Sequence, residues 1–190
     1  LVESGKIRLQ DRIAKLIPEF ASGGGARDQV TVEELLTHRA GLAADDPMAL
    51  YVGSPQEIFE RKYRQPLAAA PGSRFLYSDV GFEVLGEVVH RISSLPLEDF
   101  ARQRVFVPLG MNDTEFRPGG IGRLPPSRIA PTEKINGQVR RGEVHDPRAF
   151  ALGGVAGHAG LFSTADDLAT FCAALLRGGE GVLSPAAVAA

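Results

Sequence analysis

Apolar residues recur along this chain mostly at helical intervals. From Asp79 onward, Val80, Val84, Leu85, Val88, Val89 and Ile92 trace the stripe of a helix packed on one face. Leu168, Phe171, Cys172, Leu175 and Leu176 repeat that spacing behind a cap at Thr164, with Asp166 and Asp167 in the first turn, where the helix dipole favours anions. Gly178-Gly179 ends it, and Cys172 is expected on the apolar face as a buried small hydrophobe. Two shorter helices announce themselves by capping boxes: Thr31 with Glu34, before Leu35 and Leu36 and a stop at Gly41, and Ser54 with Glu57, with Pro55 at the first helical position and Ile58 and Phe59 inward. Pro96 opens another, with Leu97, Phe100, Ala101 and Val105 inward, and Pro108-Leu109-Gly110 closes it. Ile7, Leu9, Ile13, Leu16 and Ile17, stopped by Pro18, predict a short turn and a short helix. Leu1 to Gly5 reads as a helix end, with Gly5 left-handed. The one clear strand signal is a hairpin, Glu133-Lys134-Ile135 and Gln138-Val139-Arg140 about an Asn136-Gly137 turn.

Composition narrows the function classes. The 190 residues are 44% hydrophobic and 23% charged with a formal net charge of -2, which suits one soluble globular domain or a large piece of one. No Lys/Arg cluster offers a footprint for nucleic acid or an anionic membrane surface, and no apolar run reaches the roughly 18 residues that span a bilayer. A single cysteine excludes an internal disulfide and a thiolate metal site. The chain begins at Leu1 and ends in Pro185-Ala186-Ala187-Val188-Ala189-Ala190, which reads as a helix cut in its first turns, so truncation at both ends is expected.

The search for a nucleophile gives informative negatives. There is no G-x-S-x-G elbow, no serine followed three positions later by lysine, and no phosphate-binding glycine loop. Of four histidines, His38 and His90 fall in predicted helices and read as ordinary packing residues. His145 and His158 lie on glycine-rich loops; without a third spaced ligand they do not make a metal site, and each reads either as a cleft residue or as a buried histidine that orders its loop. In Pro71-Gly72-Ser73-Arg74-Phe75-Leu76-Tyr77-Ser78-Asp79, a turn and a short extended piece place Tyr77 directly before a helix capped by Ser78 or Asp79. Spacing alone leaves Tyr77 open between a helix-start packing residue and a catalytic phenol.

Four ordered blocks carry a resemblance. Leu35-Leu36-Thr37-His38-Arg39-Ala40-Gly41-Leu42, then Phe75-Leu76-Tyr77-Ser78-Asp79, then Phe106-Val107-Pro108-Leu109-Gly110-Met111-Asn112-Asp113-Thr114, then Gly160-Leu161-Phe162-Ser163-Thr164-Ala165-Asp166-Asp167-Leu168 resemble the serine β-lactamase-related family of class C β-lactamases, DD-peptidases and esterases. Gly142 to Asp146 and Gly153 to Gly160 resemble its penicillin-binding-protein-like branch. The resemblance implies an α+β, β-lactamase/DD-peptidase-like fold of which residues 1–190 are the central part, mainly the helical region with few short strands.

It also implies chemistry. In that family an S-x-x-K helix precedes this region and an H-x-G or K-T-G strand follows it; here only the Y-x-N motif has a counterpart, Tyr77-Ser78-Asp79. Tyr77 thereby inherits the role of proton shuttle, and Asp79 replaces an asparagine. An asparagine amide donates and accepts, whereas an ionised aspartate only accepts and adds negative charge. That substitution lowers the expectation of β-lactam hydrolysis and raises that of a peptidase, amidase or esterase. His158-Ala159-Gly160 matches H-x-G in letters, but the helix signals at Ser163-Thr164 stand where a strand should run, so the match reads as coincidence. The expectations are a serine hydrolase acting through an acyl-enzyme, with Tyr77 catalytic, Asp79, His145 and His158 at the substrate, no cofactor, no metal, and a small-molecule or peptide substrate; the rival is a non-catalytic binding relative using the same cleft. The resemblance points towards a bacterial envelope setting, and the 190 residues alone are expected to be inactive.

Overall fold

In the computed structural model, residues 1–117 and 124–189 are described. The first elements form where local signals are strongest. Helix α1 (Ile13–Leu16) lies beside an isolated antiparallel bridge between Arg12 and Thr31. Helix α2 (Val32–Leu36) starts at the expected capping box, in which the Thr31 hydroxyl accepts from the Glu34 amide and Glu34 accepts from the Thr31 amide. Ser54 and Glu57 do the same for α3 (Pro55–Tyr63), with Pro55 at its first turn. Each cap contributes about 1 kcal/mol. Residues 1–6 carry the expected helix-end geometry: the Lys6 amide donates to the Leu1 carbonyl, the Gly5 amide to that of Val2, and Gly5 has φ +68°.

Helix α4 (Asp79–Ser93) organises the molecule. Its buried stripe, Val80, Val84 and Val88, packs on Ile13, Ile17, Phe20, Val30, Val32 and Leu35 from the first elements. Burial of each such side chain contributes roughly 1.5–3 kcal/mol. Arg27 is buried as well, and its guanidinium donates to the Gln65 carbonyl just past α3 and to the Lys62 carbonyl in its last turn.

The helix after Pro96 is not uniform. Helix α5 (Leu97–Ala101) widens into a π turn at Arg102–Phe106 before α6 (Val107–Leu109), which Gly110 ends at φ +72°. Pro108 lacks an amide and its ring crowds the preceding turn, and the widened turn accommodates it. Strand β1 (Glu115–Phe116) follows, then the hairpin of β2 (Pro131–Ile135) and β3 (Gln138–Arg141), in which Asn136 and Gly137 both take positive φ as the turn requires. Asp146 caps α7 (Pro147–Ala151), which builds a second apolar cluster with Tyr51, Ile58, Val144, Leu152 and Ala156. Strand β4 (Leu161–Phe162) pairs antiparallel with β1, and α8 (Ala165–Leu176) and α9 (Pro185–Ala189) follow.

The result is the expected α+β arrangement, mostly helical; among the described residues each sheet has two strands. No described helix is long and apolar enough to cross a membrane. Two expectations need correction. Cys172 is exposed, not buried, because α8 turns Leu168, Cys172 and Leu176 outward and buries Ala174. Spacing identifies a face, and no described element covers this one. The helix begun at Thr31 ends at Leu36 rather than near Gly41, so His38 lies beyond it.

Candidate active site

Tyr77 is held from behind by the chain that follows α2. The Leu76 amide donates to the His38 carbonyl at 2.8 Å, the Ser78 amide to His38 Nδ1 at 3.0 Å, the Ser78 hydroxyl to the Ala43 carbonyl at 2.6 Å and the Asp79 amide to the Ala44 carbonyl at 2.9 Å. Ser78 also caps α4, its Oγ accepting from the Gly81 amide. Four bonds from one strap therefore fix the turn, while the Tyr77 side chain stays 61% exposed at the positive end of a fifteen-residue helix. Gly41 lets the strap pass: it has φ +73°, and a Cβ there would collide with the Ala69 carbonyl.

Aromatic contacts complete the setting. The His38 imidazole lies 4.4 Å from the Tyr77 ring, tilted by 32°, stacks on that of Phe82 at 4.9 Å, and meets Phe75 edge-on at 5.7 Å. Asp79 is half-buried in the first turn of α4, and its carboxylate has no hydrogen-bond or ion-pair partner among the described residues. The structure thus brings Tyr77 and Asp79 together and adds His38, which the sequence reading had set aside.

The other two expected residues make no direct contact with Tyr77 among the described residues. His145 is exposed just before α7, and no hydrogen bond, ion pair or ring contact joins it to Tyr77 among the described residues. The His158 side chain is 3% exposed, with Nε2 3.1 Å from Asp146 Oδ1 and Nδ1 3.6 Å from Glu83 Oε1. Burial pushes the Asp146 carboxyl up, but bonds from the Ala149 amide, His158 and the Arg148 amide outweigh it and hold the group below the usual carboxylate range. His158 has the geometry of a buried, loop-ordering histidine. The two-residue strand β4 does run on from His158-Ala159-Gly160 before α8 begins, contrary to the reading of that stretch as leading straight into a helix.

Beneath His158 is a buried polar cluster that spacing did not flag as a unit. Lys62 Nζ contacts Glu83 Oε2, lies 3.3 Å from Asp46 Oδ2 and donates to the Tyr51 hydroxyl at 2.8 Å, which in turn donates to Glu83 Oε1 at 2.9 Å. Burial, reinforced by the Glu83 charge, pushes the Tyr51 phenol well above its ordinary value and keeps it a donor. A cleft of about 510 Å³ opens between α3, α4, α5 and the Leu152 to Gly157 loop; Tyr77 is not in its walls. Of its surface carboxylates, Glu87 and Glu19 pair with Arg91 and Glu98 with Arg117, while Glu60 accepts from the Gln56 amide. Among the described residues no cluster of three or more His, Cys, Asp or Glu could hold a metal ion.

The phenol of Tyr77 thus stands directly before the α4 cap, and the family profile described as Beta-lactamase matches residues 1–190. The chain belongs to the Beta-lactamase family. It is 36% identical over 205 residues to an Escherichia coli (strain K12) protein named "Putative D-alanyl-D-alanine carboxypeptidase", covering 94% of this chain and 47% of that protein. The chain therefore spans about half the length of the curated relatives it matches. Among solved structures, a D-stereospecific amidohydrolase from Streptomyces sp. superposes with a TM-score of 0.76 at 24% identity, covering 100% of this chain and 58% of that one. EstCE1, a hydrolase with promiscuous acyltransferase activity, superposes at 0.72 with 26% identity, over 99% and 57%. Residues 1–190 thus form part of the β-lactamase/DD-peptidase fold, the mostly helical part with few short strands.

Proposed function

We propose that this chain is the central segment of a longer Beta-lactamase-family serine hydrolase that cleaves peptide, amide or ester bonds through an acyl-enzyme, DD-peptidase- or esterase-like rather than efficient on β-lactams. The observation that carries it is the Tyr77-Ser78-Asp79 turn, exposed at its phenol and fixed at its backbone by the strap of residues 38–44. The 47% coverage of relatives that include a named carboxypeptidase supports a nucleophile outside residues 1–190.

In this mechanism a serine Oγ supplied by an S-x-x-K helix attacks the carbonyl carbon, and its single proton passes to the Tyr77 oxygen as Tyr77 hands its own proton to the neutral lysine amine. The tetrahedral intermediate collapses as Tyr77 returns a proton to the departing amine or alcohol. Water then attacks the ester, the proton retraces the path, and the serine is released with the acid product. Asp79 follows Tyr77 by two residues in the first turn of α4 and adds negative charge to that end of the helix, which disfavours anionic substrates such as β-lactams. His145 is open to contact substrate, and His158 acts from beneath by tying its loop to Asp146 through Nε2.

The test is covalent trapping in the product of the complete reading frame. Incubation with a fluorescent penicillin or an activated ester, followed by peptide mass mapping, should place one label on a serine of an S-x-x-K sequence outside residues 1–190. Absence of any label under conditions that give turnover, or a label on a serine within residues 1–190, overturns the assignment.

A further inference from the structure

His38 takes a left-handed backbone conformation that is uncommon outside glycine. The Arg39 amide donates to the Glu34 carbonyl at 2.7 Å and the His38 amide to that of Leu35 at 3.2 Å, the paired bonds by which a helix closes on a left-handed residue. His38 is that residue, with φ +56°, where glycine or asparagine is the common choice. A left-handed conformation in such a residue costs roughly 1–3 kcal/mol and persists where the surroundings enforce it. Here they do, through three separate contacts.

The backbone carbonyl of His38 accepts from Leu76, its Nδ1 accepts from the Ser78 amide, and its ring faces Tyr77 at 4.4 Å. Nδ1 is thus the accepting nitrogen of the ring, which leaves Nε2 to carry the ring N–H. Phe82, one turn into α4, contacts the same imidazole at 4.9 Å. A glycine at position 38 would relieve the strain and make the first contact only. The left-handed turn therefore serves to bring an aromatic acceptor, rather than a bare backbone, under Tyr77.

We propose that His38 is a positioning residue for Tyr77: the ring contact and the Nδ1 bond to Ser78 together set the direction of the phenol oxygen. This rests on the reading of Tyr77 as the proton relay, and it adds a residue that acts only through Tyr77. A displacement of about 1 Å in a reacting group costs up to 10²-fold in rate, so the effect belongs in kcat.

The experiment is a double-mutant cycle in the product of the complete reading frame, with p-nitrophenyl acetate as probe and thermal unfolding recorded for each variant. His38→Asn tolerates the left-handed turn and keeps an oxygen that can accept from Ser78, but removes the ring. It should lower kcat roughly 10- to 100-fold with KM within about threefold. In a Tyr77→Phe background the same change should alter kcat less than about twofold, because there is no phenol left to aim. If His38→Asn unfolds below the assay temperature, His38→Gly, which frees the backbone, replaces it with the same expectation. Equal loss in both backgrounds makes His38 a fold residue and overturns the proposal. So does a kcat within twofold of the parent for both His38 variants while Tyr77→Phe is impaired. A Tyr77→Phe protein with full activity would instead remove the reading on which the proposal stands.

Discussion

Lys62 on α3 and Glu83 on α4 meet as an ion pair with side chains 1% and 0% exposed. The pair joins the two apolar clusters of the molecule, since Ile58 precedes Lys62 by one turn in one cluster and Val80 and Val84 flank Glu83 in the other. Asp46 and the Tyr51 hydroxyl complete the coordination of the ammonium. The charges are matched by geometry, and each depends on the other to remain buried.

Breaking that pair from one side should be expensive. Lys62→Met leaves Glu83 and Asp46 without their cation and should cost about 3–5 kcal/mol in denaturant unfolding of this chain, and Glu83→Gln somewhat less because the amide still accepts from Tyr51. The double replacement Lys62→Met with Glu83→Leu should recover part of the loss, since Glu83 is then no longer stranded and only the buried Asp46 is left without its cation. Additive losses in the double variant would show that the cluster is not acting as a pair.

Asp79 offers a test of substrate preference. Asp79→Asn removes one negative charge beside Tyr77 and restores an amide donor. A unit charge at about 6 Å in a half-exposed setting is worth roughly 1–3 kcal/mol. Turnover of the anionic β-lactam nitrocefin should therefore rise roughly tenfold relative to that of p-nitrophenyl acetate in the complete protein. An unchanged ratio would show that the Asp79 charge does not reach the substrate.

Asp146 gives the acid dependence a sign. Its carboxyl titrates lower in the folded protein than in the unfolded chain, so its contribution is complete above the ordinary carboxylate range near pH ~4 and is lost as pH falls through the lowered value. Asp146→Asn keeps an acceptor for the α7 amides but carries no charge for His158. The variant should be less stable than the parent at neutral pH, with the gap closing as both are acidified towards pH ~2. A gap independent of pH would assign Asp146 to capping alone.

Much of the fold was legible because its signals are local. The capping boxes at Thr31 and Ser54, the Asn136-Gly137 hairpin and the α4 stripe each depend on residues within a few positions, and all appear where expected. The buried charges were half legible: Lys62 stands four residues after Ile58 and Glu83 three after Val80, both on buried stripes, but their pairing spans 21 residues. Cys172 shows the limit of periodicity, which identifies an apolar face without supplying its partner. At the site, Tyr77 and Asp79 were reachable through the family resemblance, whereas His38 was not, because its left-handed turn is a property of backbone hydrogen bonds and its contact with Tyr77 crosses 39 positions of sequence.

The central claim is that Tyr77 moves the proton in an acyl-enzyme mechanism, and the direct measurement is steady-state turnover of p-nitrophenyl acetate by the complete protein with Tyr77→Phe. The phenylalanine ring retains the contact with His38 and loses only the hydroxyl. The account predicts a fall in kcat of roughly 10²- to 10⁴-fold, the range of a positioned acid-base group, with an unfolding midpoint close to that of the parent. A variant that turns over at nearly the parent rate, or that loses activity only in proportion to a loss of folded protein, would contradict it.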